Sequence, residues 1–209
     1  NYHVVNIVVT KEVNRIPTAT IILRDGDPAT RDFELSNQAL FVPGNEIVIQ
    51  AGYHSQEEVI FKGLVIKHRL KVRPAQSYLI VECKDQAVKM TIGRKSRYFH
   101  EIKDSDIAEE IISQYGFNKE IEHTTVNHPQ AVQYDVSDWD FLVTRIQGNG
   151  RICVVDDGKL FIKKPNVEQE PVETVTYGTT LLELDAEIDA RAQFKTITSY
   201  GWDSSEQAL

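Results

Sequence analysis

Four carboxylates crowd a short span of this 209-residue chain. In "VSDWDFLVTRIQGNGRICVVDDGKLFIKKP" (136–165), Asp138 and Asp140 flank Trp139, and Asp156 stands beside Asp157. Paired carboxylates next to aromatic residues are what glycoside hydrolysis uses, one as acid and one as base or nucleophile. A cell-wall or glycan hydrolase built on these clustered carboxylates is therefore one reading. Other groups suggest chemistry more faintly. Asp25, Asp27 and Asp32 in "DGDPATRD" hint at a calcium loop, without the EF-hand spacing or its terminal Glu, and read as a turn. His123 and His128, five apart on an extended segment, are poorly spaced to share one metal. Glu109 and Glu110 are adjacent on a helical pattern and face solvent. Cys83 and Cys153 sit in apolar strand-like runs and read as reduced packing residues. No phosphate-binding glycine loop, G-x-S-x-G, H-E-x-x-H or CxxC occurs. The sequence assigns no catalytic, cofactor-binding or metal-binding residue.

The elements around the carboxylates offer a plainer role for them. Trp139, Leu142, Val143 and Ile146 fall at i, i+3, i+4 and i+7, one face of a helix over about 138–148. Ser137 followed by Asp140 resembles a capping box, and Asp138 and Asp140 fall in the first turn, where the helix dipole favours negative charge. Phe141 points off that stripe, so the helix is expected to touch neighbours on two sides. Asp157-Gly158 is a type I′ turn pair inside a hairpin over about 151–164. Upstream, "KDSDIAEEIISQYG" sets Ile107, Ile111 and Tyr115 on one face of a helix over about 104–115. Asp104, Ser105 or Asp106 caps its start, and Gly116 ends it.

Residues 1–92 read as β throughout. "HVVNIVVT", "TATIILRDGD", "FVPGNEIVIQAGY", "VIFKGLVIKHRLKV" and "SYLIVECKD" follow one another with no long helix between them, the pattern of an antiparallel barrel or sandwich. Gly63 marks a bulge or bend. Lys67, Arg69, Lys71 and Arg73 alternate onto one face. After Pro165, "TVTYG" (174–178) and "AQFKTITSYGWD" (192–203) are strand candidates.

The net charge of −8 argues against nucleic acid or an anionic membrane as the main partner. Residues 1–100 carry 14 Lys and Arg against 10 Asp and Glu, a balance of +4; residues 101–209 carry 9 against 21, or −12. That asymmetry suits head-to-tail assembly, but on charge alone two solvated surfaces with no partner are the better reading. No apolar run is long enough for a membrane helix and no signal peptide is seen. The chain starts at Asn1 without an initiator methionine, so it reads as a piece of a longer protein.

As an ordered set, "SYLIVECKDQAVKMTIGRKSRYF", a capped helix ending "QYG", "HPQAVQYDVSDWDFLVTRIQGNG" and "VVDDGKLFI" resemble the Vgr/VgrG spike proteins of type VI secretion. The leading "VTKEVNRIPTATIILRDGDPATRDFELSN", "FVPGNEIVIQAGY" and "FKGLVIKH" resemble their N-terminal hub region, which is similar to contractile phage tail hubs. The resemblance covers nearly all of 4–165 and weakens towards "SYGWD". It implies a mainly β fold with an α+β insertion: antiparallel β-barrel-like modules plus a two-helix and hairpin segment. The divisions would be a first barrel-like module at 1–95, the α+β segment at 96–165, and strands of a second module at 166–209, few residues for a complete barrel unless it borrows strands from earlier in the chain. It further implies a non-enzymatic hub that joins a hexameric tube to a trimeric needle. The partners would be itself as a homotrimer, the tube protein, and effector or spike-tip proteins. No nucleic acid and no membrane insertion of this region are expected. Assembly would be in the bacterial cytoplasm and delivery outside the cell.

Overall fold

A computed structural model describes residues 2–191 apart from 28–30, 55 and 75, together with 196 and 198. β-Branched, alternating runs become strands: β1 (Val4–Thr10), β2 (Thr18–Arg24), β3 (Glu46–Tyr53), β4 (Gln56–Lys71) and β5 (Tyr78–Lys84). They form one antiparallel, curled half-barrel sheet in the order β1-β2-β5-β4-β3. Alternation sorts its faces. Ile21, Leu23, Phe61, Val65, Leu79, Val81 and Cys83 are buried on the inner side. On the outer side Lys67, Arg69 and Lys71 lie opposite Glu82, Ile80 and Tyr78, so the basic stripe faces solvent, with Lys67 3.9 Å from Glu82.

The expected bulge at Gly63 is displaced. Ladder shifts leave Ile60 and Ile66 unpaired on β4, while Gly63 itself stays in register with Ile47. Glycine is required there by close approach. A Cβ would stand 2.3 Å from the Lys84 carbonyl oxygen and 2.8 Å from Phe61 Cζ. Gly63→Ala is expected to cost about 1–3 kcal/mol as overpacking. Urea denaturation checks this; a change within about 0.5 kcal/mol would show that the strand gives way freely.

The second half is built around two helices: β6 (Lys95–Lys103), α1 (Asp104–Ser113), β7 (Asn118–Ile121), β8 (Asn127–Val136), α2 (Asp138–Gly148), β9 (Ile152–Asp156) and β10 (Lys159–Lys163). β6 and β8 form an antiparallel ribbon. β10 pairs β9 antiparallel and β7 parallel. Ile107, Ile111 and Ile112 of α1 and Trp139, Leu142 and Ile146 of α2 share a core with Phe99, Cys153, Leu160 and Ile162. Phe141, off the stripe, is buried too. It stacks on Phe99 with centroids 5.9 Å apart and rings 10° from parallel, so α2 does bury two sides.

The start of α1 differs from expectation. None of Asp104, Ser105 or Asp106 caps it; Lys103 holds the cap position without a side-chain bond. The Ser105 N–H instead donates to Thr124 Oγ1 at 3.1 Å, and Thr124 is buried. A hydroxyl from a loop eleven residues past the helix end supplies what a local cap would. Gly116, at φ +69°, lies where a left-handed residue was expected.

The chain divides into two units, Asn1–Asn166 and Val167–Leu209. In the second, all described residues but Leu181 are exposed. The expected strand at 174–178 is not a strand: Tyr177 makes only an isolated bridge to Leu181 within a turn at Thr176. Its alternation has no described neighbouring strand to pair with. The candidate at 192–203 lies outside the described residues, save 196 and 198.

Candidate functional site

The four carboxylates of the opening stretch follow different fates. Asp138 starts α2, and its side chain is wholly buried. Lys95 Nζ donates to Oδ2 at 2.6 Å, and the Tyr115 hydroxyl donates to the same oxygen at 2.6 Å. Arg97 Nη2 and, at 2.9 Å, Gln133 Nε2 donate to Oδ1. β6 positions Lys95 and Arg97 by alternation, on the same side as buried Phe99. Burial opposes ionisation of Asp138. The bonds from Lys95, Tyr115 and Gln133 and the Arg97 charge outweigh it, so the carboxyl is held below the usual carboxylate range. Asp140 serves the cap. Its N–H donates to Ser137 Oγ at 3.1 Å, and the Ser137 hydroxyl donates to its Oδ2 at 2.6 Å.

Asp156 and Asp157 fasten the β9–β10 hairpin. Asp157 (φ +48°) and Gly158 (φ +84°) form the two-residue turn between paired Asp156 and Lys159. Asp156 pairs with Lys11, while Asp157 Oδ1 accepts the Lys62 N–H at 3.0 Å. Asp85 completes the joint. It is buried and accepts the N–H groups of Ala87 and Gly158, both at 2.8 Å. Burial pushes its carboxyl up, more than those bonds pull it down. Asn14, at φ +59°, adds a two-way bond: its N–H donates to the Cys153 carbonyl at 2.8 Å, and the Cys153 N–H donates to its Oδ1 at 2.7 Å.

Asp104 is a further buried carboxylate, and its partners were missed from sequence. Asp104 accepts from Arg145 Nε (2.6 Å), His128 Nε2 (2.8 Å) and Asn149 Nδ2 (2.7 Å), tying α1 to β8 and both turns of the α2 C-terminus. Burial opposes its charge, but the bonds from Asn149, Arg145 and His128 prevail and its pKa is lowered. Its partners Arg145, in the last turn of α2, and Asn149, the residue that ends it, stand 41 and 45 positions away, beyond any local sequence signal.

Other candidates are likewise engaged. Asp25 accepts N–H groups from Gly26, Leu35 and Ser36, and Asp32 accepts from Phe33 and Asn37, so both hold a loop in shape. Glu109 faces solvent 3.6 Å from Lys119. Of the histidines, His128 bonds Asp104, and the His123 carbonyl accepts from Arg151. Among the described residues, no group of three or more His, Cys, Asp or Glu is placed to hold a metal. Cys83 and Cys153 are free and buried, which pushes their thiols up to about 11 and about 12. Neither is a ready thiolate.

Acid–base hydrolysis needs one carboxyl poised to stay protonated beside another that reaches substrate. Here the depressed carboxyls are wrapped by donors and the raised one, Asp85, is sealed inside. The arrangement ties elements together. It also sets a pH response. A folded pKa below the unfolded value, near 3.9 for Asp, gives stability that is complete above that value and lost as pH falls. Asp85, raised, works in the opposite sense, removing some stability as pH rises from about 3.9 through its folded value. Asp104 and Asp138, whose carboxyls are held down by several donors each, lose that stabilisation in acid. Stability should fall below about pH 5, with Asp104→Asn flattening that slope. Urea titrations at several pH values check it; an unchanged slope in the variant would contradict it.

The Alg8 N-terminal domain family matches residues 1–209. The chain belongs to that family. The ordered motifs had suggested a Vgr family instead, and that assignment is not what the match returns. No curated protein matches the sequence. Among solved structures, a tail protein from Neisseria meningitidis MC58 aligns over 90% of this chain and 56% of its own, with TM-score 0.64 and 11% identity. The 43 kDa tail protein of prophage MuSo2 from Shewanella oneidensis aligns over 75% of this chain and 48% of its own, with TM-score 0.59 and 11% identity. The E. coli c3393 protein, a type VI secretion component with structural similarity to the T4 tail proteins gp27 and gp5, gives 0.58 and 10% over 77% and 46%. The chain thus has a phage tail hub-like fold. It spans about half the length of these tail proteins. No helix among its described residues is long and apolar enough to cross a membrane.

Proposed function

We propose that this chain is a non-enzymatic structural hub module of a Vgr-type spike in a contractile injection system, joining a hexameric tube to a trimeric needle. The observation that carries the reading is the fold shared with the Neisseria tail protein over 90% of the chain. The engaged carboxylates support it, because each of Asp138, Asp140, Asp156 and Asp157 braces an element. On this reading 1–95 is the first barrel-like module, 96–165 the α+β segment, and 166–209 contributes strands to a second module. The full-length protein is a homotrimer that meets the tube protein and carries effector or spike-tip proteins. It assembles in the bacterial cytoplasm and leaves the cell with the spike.

The test is co-assembly. Full-length protein mixed with rings of its cognate tube protein should cap them end-on in negative-stain electron microscopy. Absence of any capped ring, together with peptidoglycan turnover that is lost when Asp138, Asp140, Asp156 and Asp157 all become Asn, would replace the hub with the hydrolase.

A further inference from the structure

We propose that a polar cavity against α2 is a binding site for an acidic peptide segment. The cavity measures about 650 Å³, within the range of pockets that hold small ligands. One wall is a row of side chains at the end of the half-barrel sheet. Thr10 lies opposite Thr18, and Thr18 opposite Lys84, so the three share one face of the sheet. The other wall is α2, which contributes Trp139 and Gln147. The β1–β2 connection, with Glu12 and Arg15, forms the rim. That rim is fixed before any ligand arrives. Asn14 is bonded to both backbone groups of Cys153, and the Pro17 carbonyl accepts the Asp85 N–H at 2.9 Å.

The donors of this cavity are unmatched. Trp139 keeps only 7% of its surface exposed, and its indole N–H meets no acceptor among the described residues, yet it is not sealed from solvent. A buried tryptophan ordinarily finds a partner for that group, which can only donate. Trp139 borders the cavity, so the cavity is the space in which an acceptor fits. Lys84 is exposed there and has no ion-pair partner among the described residues. Arg15 and Glu12 answer each other at 3.1 Å, which leaves the Lys84 charge of the lining unanswered. A carboxylate, acceptor and anion at once, answers both the indole and the ammonium. Two further features favour a peptide as its carrier. The Gln147 amide and the Thr10 and Thr18 hydroxyls each donate and accept, as the N–H and C=O of an extended backbone require. The indole face is buried, so a sugar ring would find no aromatic platform to stack on.

The site stands whether or not the chain is a hub. Nitrogen–proton NMR of the full chain follows the Trp139 indole directly, and Trp202→Phe removes the other indole signal. Titration with acetyl-Gly-Asp-Gly-amide should move the Trp139 signal and saturate. The same peptide with Asn in place of Asp should bind at least about tenfold more weakly, the loss of one charge-assisted hydrogen bond. Lys84→Met, at an exposed position, should weaken the aspartyl peptide about tenfold with melting unchanged. A signal that stays in place up to about 10 mM peptide, or that responds equally to both peptides, overturns the site. So does binding that Lys84→Met leaves intact. Tighter binding of trigalacturonate than of the aspartyl peptide overturns the peptide as occupant.

Discussion

Trp139→Ala should lower stability by about 3–5 kcal/mol, the range for truncating a large core aromatic. Trp139 sits on the first turn of α2 and keeps 7% of its surface exposed. It belongs to the core cluster that residues of α1, α2, β9 and β10 build. Collapse into the hole is opposed by the cap at Ser137, which fixes the helix start, and by the Phe141–Phe99 stack on the adjoining side. Urea unfolding of the variant measures the loss. A change within about 0.5 kcal/mol, the usual surface range, would place the tryptophan outside the core.

Asp138→Ala should cost about 3 kcal/mol, the low end for breaking a buried ion pair. The two cations keep some access to water, with 38% of the Lys95 side chain and 22% of the Arg97 side chain exposed. Water therefore recovers part of their solvation. Gln133 has no such relief, since it is fully buried, and the alanine variant removes the Asp138 oxygen that its amide meets. Asp138→Asn keeps the shape and one acceptor, so it should lose less than the alanine variant. Equal losses would mean that the charge, and not the packing, is everything at this site.

Local signals were legible in the sequence. The Ser137 cap, the Trp139 stripe and the Asp157-Gly158 turn depend on neighbours within a few residues, and the structure has all three. So do the five strands before residue 92, because alternation records which face is buried. What escaped was long-range. Asp104 meets Arg145 and Asn149 across 41 and 45 positions, and no period in the sequence links them. Thr124 caps α1 from outside, so local cap rules pointed to the wrong residues. Gly63 was read as a bend because a glycine in a strand has two common causes; the cause here is the Lys84 backbone. Residues 174–178 show the reverse error: alternation alone does not make a strand without a neighbour.

The acidic cluster looked like an active site because its density is visible and its partners are not. For three of the four the partners lie on other elements: Lys95 and Arg97 on β6, Lys11 after β1, Lys62 on β4. Once these are placed, the cluster is a set of fastenings in a hub-like fold.

The most direct test of the hub is the mass of the full-length protein in solution by light scattering. Three subunits per particle are expected. A particle of one subunit at every concentration measured would contradict it.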